Sequence, residues 1–232
     1  MATLGTPVKN DVAGATLDTS VTCSGSNRFL AVAVWKTTGS ALDVLTYNGD
    51  DLLAGAIASA TITVGNDSLK WYGLVAPDSG TFTLHTSVAG GGGYHGVLAL
   101  PYSDVHQSTP TSDGIGANGT GSPISLSASS ATGKTVIDAF MLRHSGGGSS
   151  ATVGAGQTTL ELYSGTADGG AKSAGGSYEA GASSVTMSWT ATNADTWLQA
   201  AFSLIDVGAA SPSGNLVGGK LGNGILLRGL VG

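Results

Sequence analysis

Charge is scarce in this chain: Lys, Arg, Asp and Glu together make up 10% of 232 residues, against roughly 25% in ordinary globular proteins. Long solvent-facing helices need Glu, Lys and Arg on their outer faces, so a mainly helical architecture is excluded. The nine basic residues (Lys9, Arg28, Lys36, Lys70, Lys134, Arg143, Lys172, Lys220 and Arg228) stand singly, within a net charge of −6. Nucleic-acid binding draws its affinity from clustered Lys and Arg, so no nucleic-acid partner is expected. Cys23 is the single cysteine. It permits no intrachain disulfide, which fits folding in a reducing compartment. Apolar runs are short, and none approaches the ~18 residues of a membrane span. The opening stretch MATLGTPVKNDVAG lacks a basic segment followed by an apolar run. No signal peptide, no transmembrane segment and no membrane partner are therefore expected.

Glycine fills part of the gap. There are 38, more than twice the usual share of roughly 7%. They follow no three-residue period, so the chain is not collagen-like. A hydrophobic share of 41% and a mean hydropathy of +0.20 are too apolar for a disordered chain. The length suits one large all-β body with a sizeable core.

Strand signals dominate. In Thr81 to Val88, Phe82, Leu84 and Val88 alternate with Thr and His, a period of two with one wet and one dry face. Ser183 to Trp189 repeats the pattern, and Thr196 to Ile205 places Leu198, Ala200, Phe202 and Leu204 on one face. Arg28 to Trp35 and Thr135 to Leu142 are apolar on both faces, as in central strands covered twice. Asn48-Gly49 predicts a type I′ hairpin, and Pro77-Asp78-Ser79-Gly80 a type I turn. Gly90 to Gly93, Gly146 to Gly148 and Gly165 to Ser177 read as loops. The expected fold is an antiparallel β-sandwich of jelly-roll type over residues 1–207, followed by a linker and Gly-rich apolar arm over 208–232. A faint echo links NRFLAVAV with GKTVIDAF, each a basic residue opening a buried strand, as two similar halves would give.

Motifs that carry chemistry are few. Ala128 to Thr135, ASSATGKT, satisfies a relaxed phosphate-loop pattern. Strand-like residues follow it where a helix would have to begin, so it reads as a turn entering a strand. His85, His95, His106 and His144 lack the spacing of a metal site, so neither metal nor cofactor is expected. No Gly-x-Ser-x-Gly elbow nominates a nucleophile, and no catalytic residue is assigned. Asp138 interrupts an apolar strand and is a buried functional carboxylate, an acceptor of loop N–H bonds, or a residue placed where the strand emerges at an edge. Trp35, Trp71, Trp189 and Trp197 sit in strand patterns and are assigned to the core. Tyr94 and His95, after a glycine run, are expected on an exposed recognition loop.

The chain ends in NLVGGKLGNGILLRGLVG. Leu216, Val217, Leu221, Ile225, Leu226, Leu227, Leu230 and Val231, with Arg228 among them, are the expected partner interface. Apolar side chains at this density need cover from the same body or from another chain.

The series NRFLAVAVW, VLTYNGDDL, KWYGLVAPDSGTFTLHTSV, GVLALPYSDVHQSTP and VTMSW…TWLQAAFSL resembles a jelly-roll domain of bacteriophage virion structural proteins and some bacterial surface proteins. It covers Ala15 to Ile205, and the Gly/Leu ending resembles short tails of phage structural proteins. The resemblance implies a non-enzymatic structural part of the virion: a head decoration (cement) protein, a head fibre or a tail component. It implies a homotrimer that is assembled in the host cytoplasm and binds the major capsid protein or another virion protein. A receptor- or glycan-binding module of a tail fibre or bacterial surface protein is the alternative expectation.

Overall fold

The computed structural model describes residues 1–208 apart from 38, 40, 91–92, 145–149, 166–170 and 193, without the side chains of 144, 163–165 and 171–172. The fold is all-β and antiparallel, as the alternating patterns require. Its first half contains β1 (Thr3–Leu4), β2 (Val8–Ala13), β3 (Thr16–Cys23), β4 (Phe29–Lys36) and β5 (Leu42–Tyr47). It continues with β6 (Asp50–Asp51), β7 (Ala56–Val64), β8 (Asp67–Val75), β9 (Gly80–Val88) and β10 (Tyr94–Ser103). The second half contains β11 (Thr111–Thr120), β12 (Ile124–Ser129), β13 (Lys134–His144) and β14 (Ala151–Val153). It ends with β15 (Thr158–Gly165), β16 (Ala171–Ala180), β17 (Ser184–Ala191) and β18 (Ala194–Ile205). One 3-10 turn, Leu53–Gly55, is the only helical element among the described residues. The Asn48-Gly49 turn joins β5 to β6 with positive φ at both positions, 51° and 91°, as expected of type I′.

The strands form four sheets. In the first half an inner sheet runs β2-β10-β4-β8-β7, with β1 extending its β10 edge, and an outer sheet runs β3-β9-β5-β6. In the second half the inner sheet runs β11-β18-β13-β16-β15 and the outer sheet β12-β17-β14. Counting the eight main strands of each half in chain order, both inner sheets read 1-8-3-6-5 and both outer sheets 2-7-4. The echo between NRFLAVAV and GKTVIDAF is thus structural. Its two copies are β4 and β13, the third strand of each half.

Three layers of core hold the four sheets. Leu30, Val32, Val34, Leu45, Leu84 and Val97 fill the first half between its outer and inner sheets. Phe140, Trp189 and Ile124, with Val136, Met187 and Ala201 beside them, do the same in the second. The largest cluster lies between the two inner sheets, where Phe29, Trp35 and Trp71 meet Ile137, Met141, Leu198 and Phe202. All four tryptophans are core residues, as assigned. Trp71 packs edge-on against Phe202, ring centroids 5.1 Å apart, and its Nε1 donates to the carbonyl of Ala200 at 3.0 Å. Arg143 adds a polar tie between the halves, donating to the Asp67 carboxylate at 2.5 Å and to the Thr37 carbonyl at 3.3 Å.

Glycine plays a part that turn chemistry does not cover. Seven glycines lie inside strands: Gly73, Gly96, Gly114, Gly116, Gly119, Gly175 and Gly176. At Gly96 a Cβ would come within 2.5 Å of the Trp35 ring, and at Gly119 within 2.6 Å of the Trp197 ring. Trp35 and Trp197 are the cross-strand partners of those two glycines, so each ring lies over bare backbone. At Gly114 and Gly116, on β11, a Cβ would drive into the carbonyl oxygens of Ala58 and Thr61 on β7. The halves therefore meet there backbone to backbone. The stretch from Gly165 to Ser177, expected to be a loop, contains most of β16, and β11 carried no strand expectation. Both are strands whose neighbours are rings and main chain, so they show no apolar alternation.

Hydroxyls line much of the outer faces of the outer sheets, alone on β12 and β17 and beside Asp18 and His85 on β3 and β9. Thr22 and Thr81 share a 2.7 Å hydrogen bond on one, Ser127 and Thr186 a 3.2 Å bond on the other.

Candidate functional site

Asp138 stands mid-strand on β13, in register with Ser177 of β16 and Ala201 of β18. It is fully buried between the sheets of the second half. Its carboxylate accepts four hydrogen bonds. Oδ1 takes the Ser177 backbone N–H at 2.8 Å and the Ser177 hydroxyl at 2.6 Å. Oδ2 takes Trp189 Nε1 at 2.9 Å and Gln199 Nε2 at 2.6 Å. Gln157 extends the network, donating to Ser177 Oγ at 2.6 Å and accepting from the Ser188 N–H at 2.7 Å. Of the three readings of Asp138, the acceptor of N–H and O–H bonds describes what the structure shows, and the edge reading fails because β13 is a central strand. No solvent reaches the carboxylate.

The repeat shows how unusual this is. Val32 of β4 pairs with Tyr72 and Ala99, as Asp138 pairs with Ser177 and Ala201. Val97 stands opposite Val34 as Gln199 stands opposite Phe140. Where the first half packs Val32, Tyr72 and Val97, the second therefore places Asp138, Ser177 and Gln199.

Burial raises the Asp138 carboxyl above the ordinary carboxylate range, against the pull of its four donors. Gln199 Oε1 has no hydrogen-bond partner among the described residues. A raised folded value means that folding favours the proton. The group's contribution is complete below the unfolded carboxylate range and is lost as pH rises through the folded value. Wild type is therefore expected to lose stability relative to Asp138→Asn as pH rises above the ordinary carboxylate range of about 4. Urea midpoints of both proteins over that rise check it, and parallel profiles would contradict it.

Tyr94 and His95 are not on an exposed loop. Tyr94 opens β10 at 1% exposure and His95 follows at 0%. The glycine run ends before them, and Gly96 makes room for Trp35, which draws the strand start into the core. His95 Nε2 lies 3.1 Å from Thr86 Oγ1, and burial pushes the imidazole pKa down, so the ring is held neutral. His85 is half-buried on β9, paired with Asp18 of β3 at 2.5 Å. Lys134, from the phosphate-loop-like stretch, opens strand β13 and reaches Ser112 at 2.8 Å and Asp113 at 3.1 Å. Among the described residues no three of His, Cys, Asp and Glu converge as a metal site would need. Nor is any helix there long and apolar enough to cross a membrane. The residues expected to form an interface, Leu216, Val217, Leu221, Ile225, Leu226, Leu227, Arg228, Leu230 and Val231, lie outside the described residues.

One open cleft gathers polar groups that the sequence keeps apart. It has a volume of about 280 Å³, with Lys36 on β4, Ser68, Lys70 and Tyr72 on β8, and Thr61 and Thr63 on β7. Val34 and Leu42 complete its wall. Register explains the gathering. Val34 pairs with Lys70 and Lys70 with Thr61; Lys36 pairs with Ser68 and Ser68 with Thr63. Residues opposite one another, and residues two apart, share a face. No family model, curated protein or solved structure matches the chain.

Proposed function

We propose that the chain is a non-enzymatic structural protein of a bacteriophage virion, a capsid decoration protein that trimerises and holds the head together. Each half of the body is read as a jelly roll whose fifth strand stays with its sixth. The contrast between body and arm carries this reading. Among the described residues, large apolar side chains are exposed only at Met1, Val75, Leu162 and Val207. By contrast, eight apolar side chains lie between Leu216 and Val231. Adhesion to copies and capsid is therefore assigned to the arm. Three arms on one trimer add avidity beyond the affinity of each. The sealed Asp138 network supports a structural rather than a catalytic use of the second half.

Truncation after Ala210 tests the reading. The full chain is expected to show a trimeric native mass and to co-sediment with capsids. The truncated chain is expected to be monomeric and to bind at least tenfold more weakly, a loss of about 1.4 kcal/mol or more. A truncated chain that trimerises and binds like the full one would overturn the role of the arm. A monomeric full chain with no affinity for any virion would overturn the whole reading. The second reading, a receptor- or glycan-binding module, loses Tyr94 and His95 as its anchor. The Lys36–Lys70 cleft is the observation that favours it.

A further inference from the structure

The arm leaves the body at a groove. Asp206 and Gly208, just past β18, form one side of it. Ala180 and Gly181, at the end of β16, and the turn from Thr132 to Thr135, at the start of β13, form the rest, with Met1 at the rim. Its volume is about 450 Å³ and its walls are mainly carbon, as in an ordinary binding site. The turn belongs to the phosphate-loop-like stretch, but the Lys134 ammonium is already taken up by Ser112 and Asp113. It offers no free cation to the groove.

One group in the wall is short of donors. Asp206 is 5% exposed. Among the described residues its Oδ1 has no partner, and its Oδ2 has only the Met1 ammonium, 3.7 Å away and beyond hydrogen-bond distance. A carboxylate so far buried is ordinarily hydrogen-bonded. The groove therefore suits a partner that is apolar along its length and carries a strong N–H donor.

Residues 209–232 have that chemistry. No Asp or Glu follows Asp206, and Arg228 stands among Ile225, Leu226, Leu227, Leu230 and Val231. A guanidinium brings five N–H donors and is weakly hydrated, which favours pairing with a sheltered carboxylate. Gly208, where the described residues end, lines the groove itself, so each copy carries its arm beside the surface that would take one. Residues 209–215 reach about 25 Å when fully extended, so the apolar stretch can begin on a neighbouring body.

Resting on the trimer reading above, we propose that the arm of each copy docks in this groove of the next. Arg228 donates to Asp206, and the apolar side chains around it lie against Ala180 and the Thr132–Thr135 turn. Such an interface is heterologous, and three copies close it into a ring.

The native mass of the full chain over a concentration series tests this, with Ala180→Trp filling the groove. Ala180 is exposed, so the fold accommodates the ring. Ala180→Trp is expected to raise the concentration at which the oligomer dissociates by about tenfold or more. Arg228→Ala and Asp206→Asn are each expected to raise it severalfold, with no further effect when combined. A chain carrying both Ala180→Cys and Leu227→Cys is expected to form disulfide-linked multimers when oxidised by air and copper, and a chain carrying either alone is not. Cys23 is buried and takes no part. A disulfide confined to single chains would place the arm in its own groove and overturn the exchange between copies. An oligomer indifferent to Ala180→Trp would overturn the groove and leave the role of the arm standing. A full chain monomeric at every concentration would overturn both.

Discussion

Asp138→Ala is expected to lower the unfolding free energy by about 2–5 kcal/mol, through buried donors left without an acceptor. The loss comes less from the missing carboxylate than from what it leaves behind. Trp189 Nε1 and the Ser177 N–H would keep their burial and lose their acceptor. Each orphaned donor costs roughly 1–3 kcal/mol. Gln199 would suffer less, since its Nε2 also donates to the Met187 carbonyl at 3.2 Å. For a domain of this size the midpoint of thermal unfolding should fall by roughly 10 °C. A double-mutant cycle refines the test. Asp138→Val and Gln199→Val together restore the apolar choice the first half makes at Val32 and Val97, and should cost less than the sum of the two single changes. Urea unfolding of the four proteins measures it. Strict additivity, or a single-mutant loss below about 1 kcal/mol, would show that the network contributes little.

Gly114→Val is expected to cost about 3 kcal/mol or more, for a different reason. Where β11 crosses β7 the contact is between main chains, and the first atoms a Cβ meets are the Ala58 carbonyl oxygen and, at 2.8 Å, the Ala60 nitrogen. A flexible side chain could turn aside; here the obstacle is main chain on both sides, Gly114 in a bulge of β11 and Ala58 and Ala60 in an irregular stretch of β7. The two inner sheets would have to part along that edge, taking Ile62 and Val64 off the central core. Gly208→Ala supplies the control, because nothing lies within 4 Å of its added carbon. It should leave stability within roughly 0.5 kcal/mol. Equal urea midpoints for the two variants would refute the close-contact account.

Much of the fold was legible because side chains carried it. The alternation of Thr81 to Val88 gives β9, and the doubly apolar runs Arg28 to Trp35 and Thr135 to Leu142 give the central strands β4 and β13. The expectation failed where backbone rather than side chains made the contact. TSDGIGANGT and AKSAGGSYEA show no periodicity, since a glycine beneath a tryptophan or against a neighbouring carbonyl adds nothing to a pattern. For the same reason Gly90 to Gly93 suggested that Tyr94 and His95 were a loop, when Gly96 was preparing a buried strand. The cleft was invisible for another reason. Lys36 and Lys70 share a face only through the β4–β8 register, and their spacing along the chain says nothing of it.

The repeated strand order bears on molecularity. A chain ending after β10 would be an eight-stranded sandwich with Phe29, Trp35 and Trp71 bare on one face. Covering that face would take a second molecule, so its folding would depend on its concentration. Joining two such units makes the encounter intramolecular, at an effective concentration in the millimolar range for a short connection. The body between Thr3 and Val207 can therefore complete its central core however dilute the protein is.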